Sequence, residues 1–147
     1  MSDLRDLYQQ VILDHNRKPR NFRKIADANR TAEGYNPLCG DRITVEATVE
    51  DGIVKDAAFQ GAGCAISKAA ASMMTASVIG KPEREVDALF HRVHAMLTGA
   101  NGPTAEVGKL AVFAGVREFP SRIKCATLAW HTLQAALHGA AEPVSTE

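Results

Sequence analysis

The chain lacks an excess of charge of either sign. Lys plus Arg number 17 and Asp plus Glu number 17, for a formal net charge of zero at pH 7. A chain without a broad basic field is not built mainly to grip nucleic acid or an anionic membrane. It also lacks any uncharged apolar run near the roughly 18 residues that span a bilayer. Asp3, Arg5 and Asp6 stand where an export signal needs an apolar stretch, so the expected location is cytoplasmic. Internal repeats and low-complexity segments are missing. Cysteine is scarce: three residues, an odd number that cannot close into a pure disulfide framework. In a reducing compartment, three Cys in one domain read as metal ligands or reactive thiols. No G-x-S-x-G elbow occurs, and Ser67 and Ser72 have no obvious base beside them.

What remains is an ordinary soluble composition. Hydrophobic residues make up 46% and charged residues 23% of 147, enough to bury one core without staples. Leu4, Leu7, Tyr8, Val11 and Ile12 form one apolar stripe, so a helix is predicted from Ser2 until Pro19 stops it. Residues 18–38 are polar and irregular, with room for a short edge strand. From residue 42 to 50 the chain alternates, with Ile43, Val45, Ala47 and Val49 on one face. That is a half-buried strand. Asp51-Gly52 predicts a two-residue hairpin turn, and Ile53 to Gln60 the returning strand. Gly61-Ala62-Gly63 is expected to break the sheet. Residues 65–79, rich in Ala, Ser and Met, predict a buried helix. A third helix follows Pro82, with Val86, Leu89, Phe90, Val93 and Leu97 inward. A short helix is expected at residues 104–113, then a loop around Gly115. The last helix follows Pro120 and ends at Gly139. The expected fold is α+β: a small antiparallel sheet with helices packed on one face. Residues 1–139 form one domain and residues 140–147 a flexible tail.

The chemistry concentrates in Cys39, Asp41, Cys64 and Cys125. On an extended segment, positions i and i+2 point the same way, so Cys39 and Asp41 are expected to face one site. Cys64 stands at a helix start, where backbone N–H groups favour the thiolate. Cys125 opens the last helix behind Arg122 and Lys124, a cationic setting. Three thiolates and a carboxylate suit tetrahedral Zn²⁺ or an iron–sulfur centre. The spacing fits no zinc finger: Cys39 to Cys64 is 25 positions and Cys64 to Cys125 is 61. The competing reading is three unrelated buried thiols acting as small core residues. The four ligands would sum to four negative charges, of which Zn²⁺ offsets two, so Arg122 and Lys124 are candidate supporting cations.

Asn36-Pro37-Leu38-Cys39-Gly40-Asp41, Gly61-x-Gly63-Cys64-x-Ile66-Ser67 and Arg122-Ile123-Lys124-Cys125 resemble the three cysteine motifs of the IscU/NifU N-terminal family of iron–sulfur cluster assembly proteins. The resemblance runs from the first helix to Gly139. It is strongest to the SufU branch, because Lys124 replaces the His that the IscU branch carries there, and residues 98–120 resemble the SufU insertion. The resemblance implies the family's α+β fold, with zinc held by Cys39, Asp41, Cys64 and Cys125. It implies a sulfur acceptor that takes persulfide sulfur from a SufS-type cysteine desulfurase at Cys125 and relays it to other cluster-assembly proteins. In that picture a His of the desulfurase takes over a zinc position and frees the Cys125 thiolate. Two alternatives stay open: a scaffold holding a nascent [2Fe–2S] cluster on the same residues, and a structural zinc module that docks partners.

Other residues read more simply. His91 and His94 are expected to be solvated or capping, and His131 and His138 to lie on a helix surface. Trp130 falls outside the apolar stripe of the last helix and is expected at an edge or a partner surface. Lys18, Arg20, Arg23 and Lys24 form a modest basic cluster, a solvated loop or a surface for an acidic partner.

Overall fold

Alternation along the central strand builds the sheet. In the computed structural model, β2 spans Asp41–Glu50 and its odd-numbered positions are buried. The structure describes residues 2–37, 40–98, 107–139 and 144–145, with residues 2–7, 117–118 and 144–145 described by their backbone. Asp51 and Gly52 both take positive φ, 54° and 74°, as a type I′ hairpin requires. The chain returns as β3, Ile53–Ala62, with Phe59 1% exposed. The break expected at Gly61-Ala62-Gly63 comes only at Gly63: Gly61 still pairs with Ile43 and Ala62 with Arg42. A strand partner sustains the ladder through residues that local propensity assigns to a turn.

The edge strand within residues 18–38 is β1, Arg30–Asn36, antiparallel to β2. Its inward positions are Ala32, Gly34 and Asn36, so hydrophobic alternation does not mark it. Gly34 is the close-approach point: a Cβ there would overlap Thr132 Oγ1 of the helix above. Val144–Ser145, in the segment expected to be tail, forms β4 and pairs parallel with β1 at Gly34 and Tyr35. The sheet order is β3-β2-β1-β4.

Four helices complete the fold: α1 Ser2–Arg17, α2 Ala65–Val78, α3 Glu83–Thr98 and α4 Pro120–Leu137. The short helix expected at residues 104–113 is instead a 3-10 segment, Gly108–Glu118, which runs through Gly115 without a loop; residues 99–106 lie outside the described set. α4 is the centre of the molecule. It packs on β1, β2, α2, α3 and the 3-10 segment. A helix surrounded on most sides has no single apolar stripe. That is why Trp130, expected at an edge, is 2% exposed inside the core. Among the described residues no helix is long and apolar enough to cross a membrane.

Candidate metal centre

The β1–β2 hairpin sets the first wall of the site. Asn36 and Asp41 are register partners at its closed end. Both occupy inward positions, and both are 0% exposed. The inward face that carries Ile43, Val45 and Ala47 farther along β2 therefore ends in a carboxylate and an amide. Gly40 has φ +72°, so the chain is turned there and extends only from Asp41 onward. The i, i+2 argument for Cys39 and Asp41 consequently fails at Gly40, and Cys39 itself lies outside the described residues.

The second wall is the start of α2. Cys64 is its N-cap, with φ −72° and ψ 170°, and its Sγ accepts from Ser67 N at 3.4 Å. Its own backbone N donates to Asp41 Oδ1 at 2.9 Å, and its thiol to Asp41 Oδ2 at 3.8 Å. Gly63 makes this approach possible, since a Cβ there would stand 3.0 Å from Asp41 Oδ1.

The third wall is the second turn of α4. Cys125 is 0% exposed. Its thiol donates to Ser121 O at 3.7 Å, and Asn36 Nδ2 donates to its sulfur at 3.6 Å. Ligand atoms of Asp41, Cys64 and Cys125 all lie within 4.8 Å of one another. Residues 23 and 61 positions apart in sequence thus converge where one sheet end and two helix starts meet.

The donor set fits a metal ion. Asp41 is a fully buried carboxylate whose bonds are to Cys64. No Lys, Arg or His side chain pairs with it among the described residues. A buried carboxylate without a cation is costly, and a divalent ion at the facing thiols removes that cost. Two sulfurs and an oxygen at this separation suit tetrahedral Zn²⁺.

The supporting cations are less engaged than the sequence suggests. Arg122 is exposed and Lys124 half-buried, and neither bonds to Asp41, Cys64 or Cys125 among the described residues. Asn36 and Ser67, members of the motifs but not of the candidate ligand set, contribute bonds to the sulfurs of Cys125 and Cys64. A polar residue at the inward position before a turn, and the N–H three residues past a capping Cys, were the available signals.

The histidines do not join this site. His91 is exposed and lies 3.7 Å from Asp87. His131, expected on a surface, is half-buried, with ring centroids 5.3 Å from Phe90 and 5.7 Å from His94. Burial, then the neighbouring His94, lowers its pKa.

Comparison with known proteins agrees with this architecture. The NifU-like N-terminal domain family matches residues 7–126. The chain is 38% identical over 137 residues to the iron–sulfur cluster assembly scaffold protein IscU of Thermotoga maritima, covering 93% of this chain and 96% of that one. It is 39% identical over 134 residues to the zinc-dependent sulfurtransferase SufU of Bacillus subtilis, covering 90% of each. The crystal structure of the SUF-system protein FiSufU of Fervidobacterium islandicum AW-1 superposes with a TM-score of 0.83 at 32% identity, over 87% of this chain and 94% of that one. With its sheet, its helices and its Asp–Cys–Cys cluster arranged in this way, the chain belongs to the NifU-like N-terminal domain family.

Proposed function

We propose that this protein is a zinc-dependent sulfur acceptor in iron–sulfur cluster assembly, taking sulfur from a SufS-type cysteine desulfurase. The observation that carries the reading is the buried Asp41 carboxylate, set against Cys64 and Cys125 with no cationic side chain paired to it among the described residues. Asp41, Cys64 and Cys125 are the proposed ligands, with Cys39, two positions before Asp41, as the fourth. Bound zinc holds these thiols as thiolates at neutral pH.

Cys125 is the proposed acceptor. Its thiolate attacks the outer sulfur of the desulfurase persulfide. A new S–S bond forms on Cys125, the donor S–S bond breaks, and the electron pair leaves on the desulfurase thiolate. No external oxidant or reductant is consumed. Cys125 has no exposed surface, so acceptance requires a local opening at the start of α4. Arg122, exposed one turn before Cys125, is the proposed contact for an acidic partner surface, with Lys124 adding positive charge beside it.

The scaffold reading uses the same residues and is supported by relatives such as the Thermotoga maritima protein. Lys124, standing where the IscU branch carries His, favours the acceptor reading. The deciding experiment is anaerobic turnover of a SufS-type desulfurase with and without the zinc-loaded protein. A large stimulation that vanishes in Cys125→Ser supports the acceptor role. Wild-type stimulation by Cys125→Ser removes it. No stimulation, with a transferable cluster formed from iron and sulfide, supports the scaffold. Zinc that never exchanges and a Cys125 that never reacts support a structural module.

A further inference from the structure

A cleft of about 750 Å³ lies between α1, α2 and the start of the 3-10 segment, within the size range of small-molecule sites. None of its lining residues belongs to the Asp41–Cys64–Cys125 cluster. Val11, Met73 and Val112, from three different elements, give it apolar lining. His15, Arg20 and Lys109 give it basic lining. Asp14 is the one carboxylate on the lining among the described residues.

The basic lining is built rather than incidental. His15 Nδ1 lies 2.7 Å from Ser72 Oγ, and Ser72 is 0% exposed on α2. The same Oγ accepts from Arg20 N at 2.8 Å. One buried hydroxyl thus fixes both the imidazole and the backbone that carries the Arg20 guanidinium. Arg20 Nη1 donates to Lys18 O at 2.9 Å, and neither Arg20 nor Lys109 forms an ion pair among the described residues. Arg23, from the same basic cluster, is by contrast held by Asp56 at 2.6 Å. The local potential is registered by His15: burial, then Arg20 and also Lys109, lower its pKa, with Asp14 opposing. Two permanent cations and three apolar side chains lining one cleft are half of a recognition pair.

We propose that this cleft binds a small organic acid, its carboxylate on Arg20 and Lys109 and its apolar body against Val11, Met73 and Val112. Inorganic phosphate would use only the cations, and a neutral lipid only the apolar lining. The proposal does not depend on the sulfur-acceptor reading.

The test is an NMR titration of the full chain with octanoate, acetate and octanol. Octanoate should shift Val11, Met73 and Val112 signals and bind about tenfold tighter than either partial probe. It should also raise the His15 pKa, because a bound carboxylate offsets Arg20 and Lys109 and stabilises the imidazolium. Lys109→Glu should weaken octanoate about tenfold, while Lys55→Glu, on β3, should leave it unchanged. Equal binding of octanol, or of acetate, overturns the proposal, as does octanoate binding that leaves His15 unmoved. A capped peptide of alternating Glu and Leu that binds tighter than octanoate also overturns it, and assigns the cleft to an acidic segment of a partner protein.

Discussion

The backbone N–H of Cys64 donates to Asp41 Oδ1 at 2.9 Å, tying the first turn of α2 to the first residue of β2. One bond thereby sets the separation of a carboxylate and a thiol that share no local sequence. The carboxylate is buried and lacks a cationic partner among the described residues, so it destabilises the metal-free protein. Asp41→Asn keeps an acceptor for Cys64 N and removes the charge. The metal-free Asn variant should unfold at higher urea than metal-free wild type, while its zinc affinity falls at least about tenfold. Urea unfolding and competition against a chromophoric chelator measure the two effects. An Asn variant with unchanged zinc affinity takes Asp41 out of the ligand set.

Gly63→Ala separates site geometry from fold stability. The added Cβ would sit 3.0 Å from Asp41 Oδ1 and 3.2 Å from Ser67 Oγ, tighter than ordinary van der Waals contact. Both neighbours are side-chain rather than backbone atoms and neither overlaps the added Cβ, so the global cost should stay within about 1 kcal/mol. The carboxylate, however, must move away from Cys64. Zinc affinity should fall about tenfold with little change in the unfolding midpoint of the metal-free protein.

Gly34→Ala should show the opposite pattern. Its Cβ would overlap Thr132 Oγ1 and press on Leu128 Cδ1 at 3.1 Å, on the face where β1 meets α4. Both neighbours are fully buried, so relief requires α4 to shift. We expect a loss of about 1–3 kcal/mol. Zinc bound per folded molecule should be nearly unchanged. A variant as stable as wild type would show that α4 is more loosely seated than its burial implies.

Acid should destabilise the protein through His131. Its pKa in the folded state is lowered, first by burial and then by His94. Below the unfolded-state value near 6.5 the unfolded chain binds the proton more readily than the folded chain. The contribution is therefore complete above about pH 6.5 and is lost as pH falls through the folded-state pKa. His15 acts in the same direction. His131→Gln should unfold with a smaller drop in stability between about pH 7 and pH 5 than wild type. An equal drop would assign the acid sensitivity to other groups.

Much of the fold is legible because its signals are local. Alternation over residues 42–50 needs one buried face, and β2 has it. Asp51-Gly52 supports positive φ at both positions, and the hairpin follows. The α3 stripe is right because that helix has one core-facing side; Val86, Leu89, Val93 and Leu97 are buried. The misplaced features share another cause. β1 hides because its inward positions include Gly34 and Asn36, which serve packing against α4 and the site rather than hydrophobicity. Trp130 is misread because a central helix is apolar on several faces. Gly61 stays in the ladder because β2 holds it there.

The candidate site divides in the same way. Residue type and the flanking motifs alone single out Cys39, Asp41, Cys64 and Cys125 as donors, the last three of them among the described residues, since thiols, a carboxylate and a helix start define chemistry without coordinates. Sequence also determines the neutral overall charge and the α+β order of elements. Only the tertiary structure decides that these three donors meet within 4.8 Å, that Asn36 reaches the sulfur of Cys125, and that Asp41 is buried without a cation among the described residues. It alone brings His15, Arg20 and Lys109 to one cleft. The reason is range. Propensity and periodicity act over a few residues, whereas burial, electrostatic pairing and ligand geometry depend on segments separated by tens of residues and joined only when the sheet and helices pack.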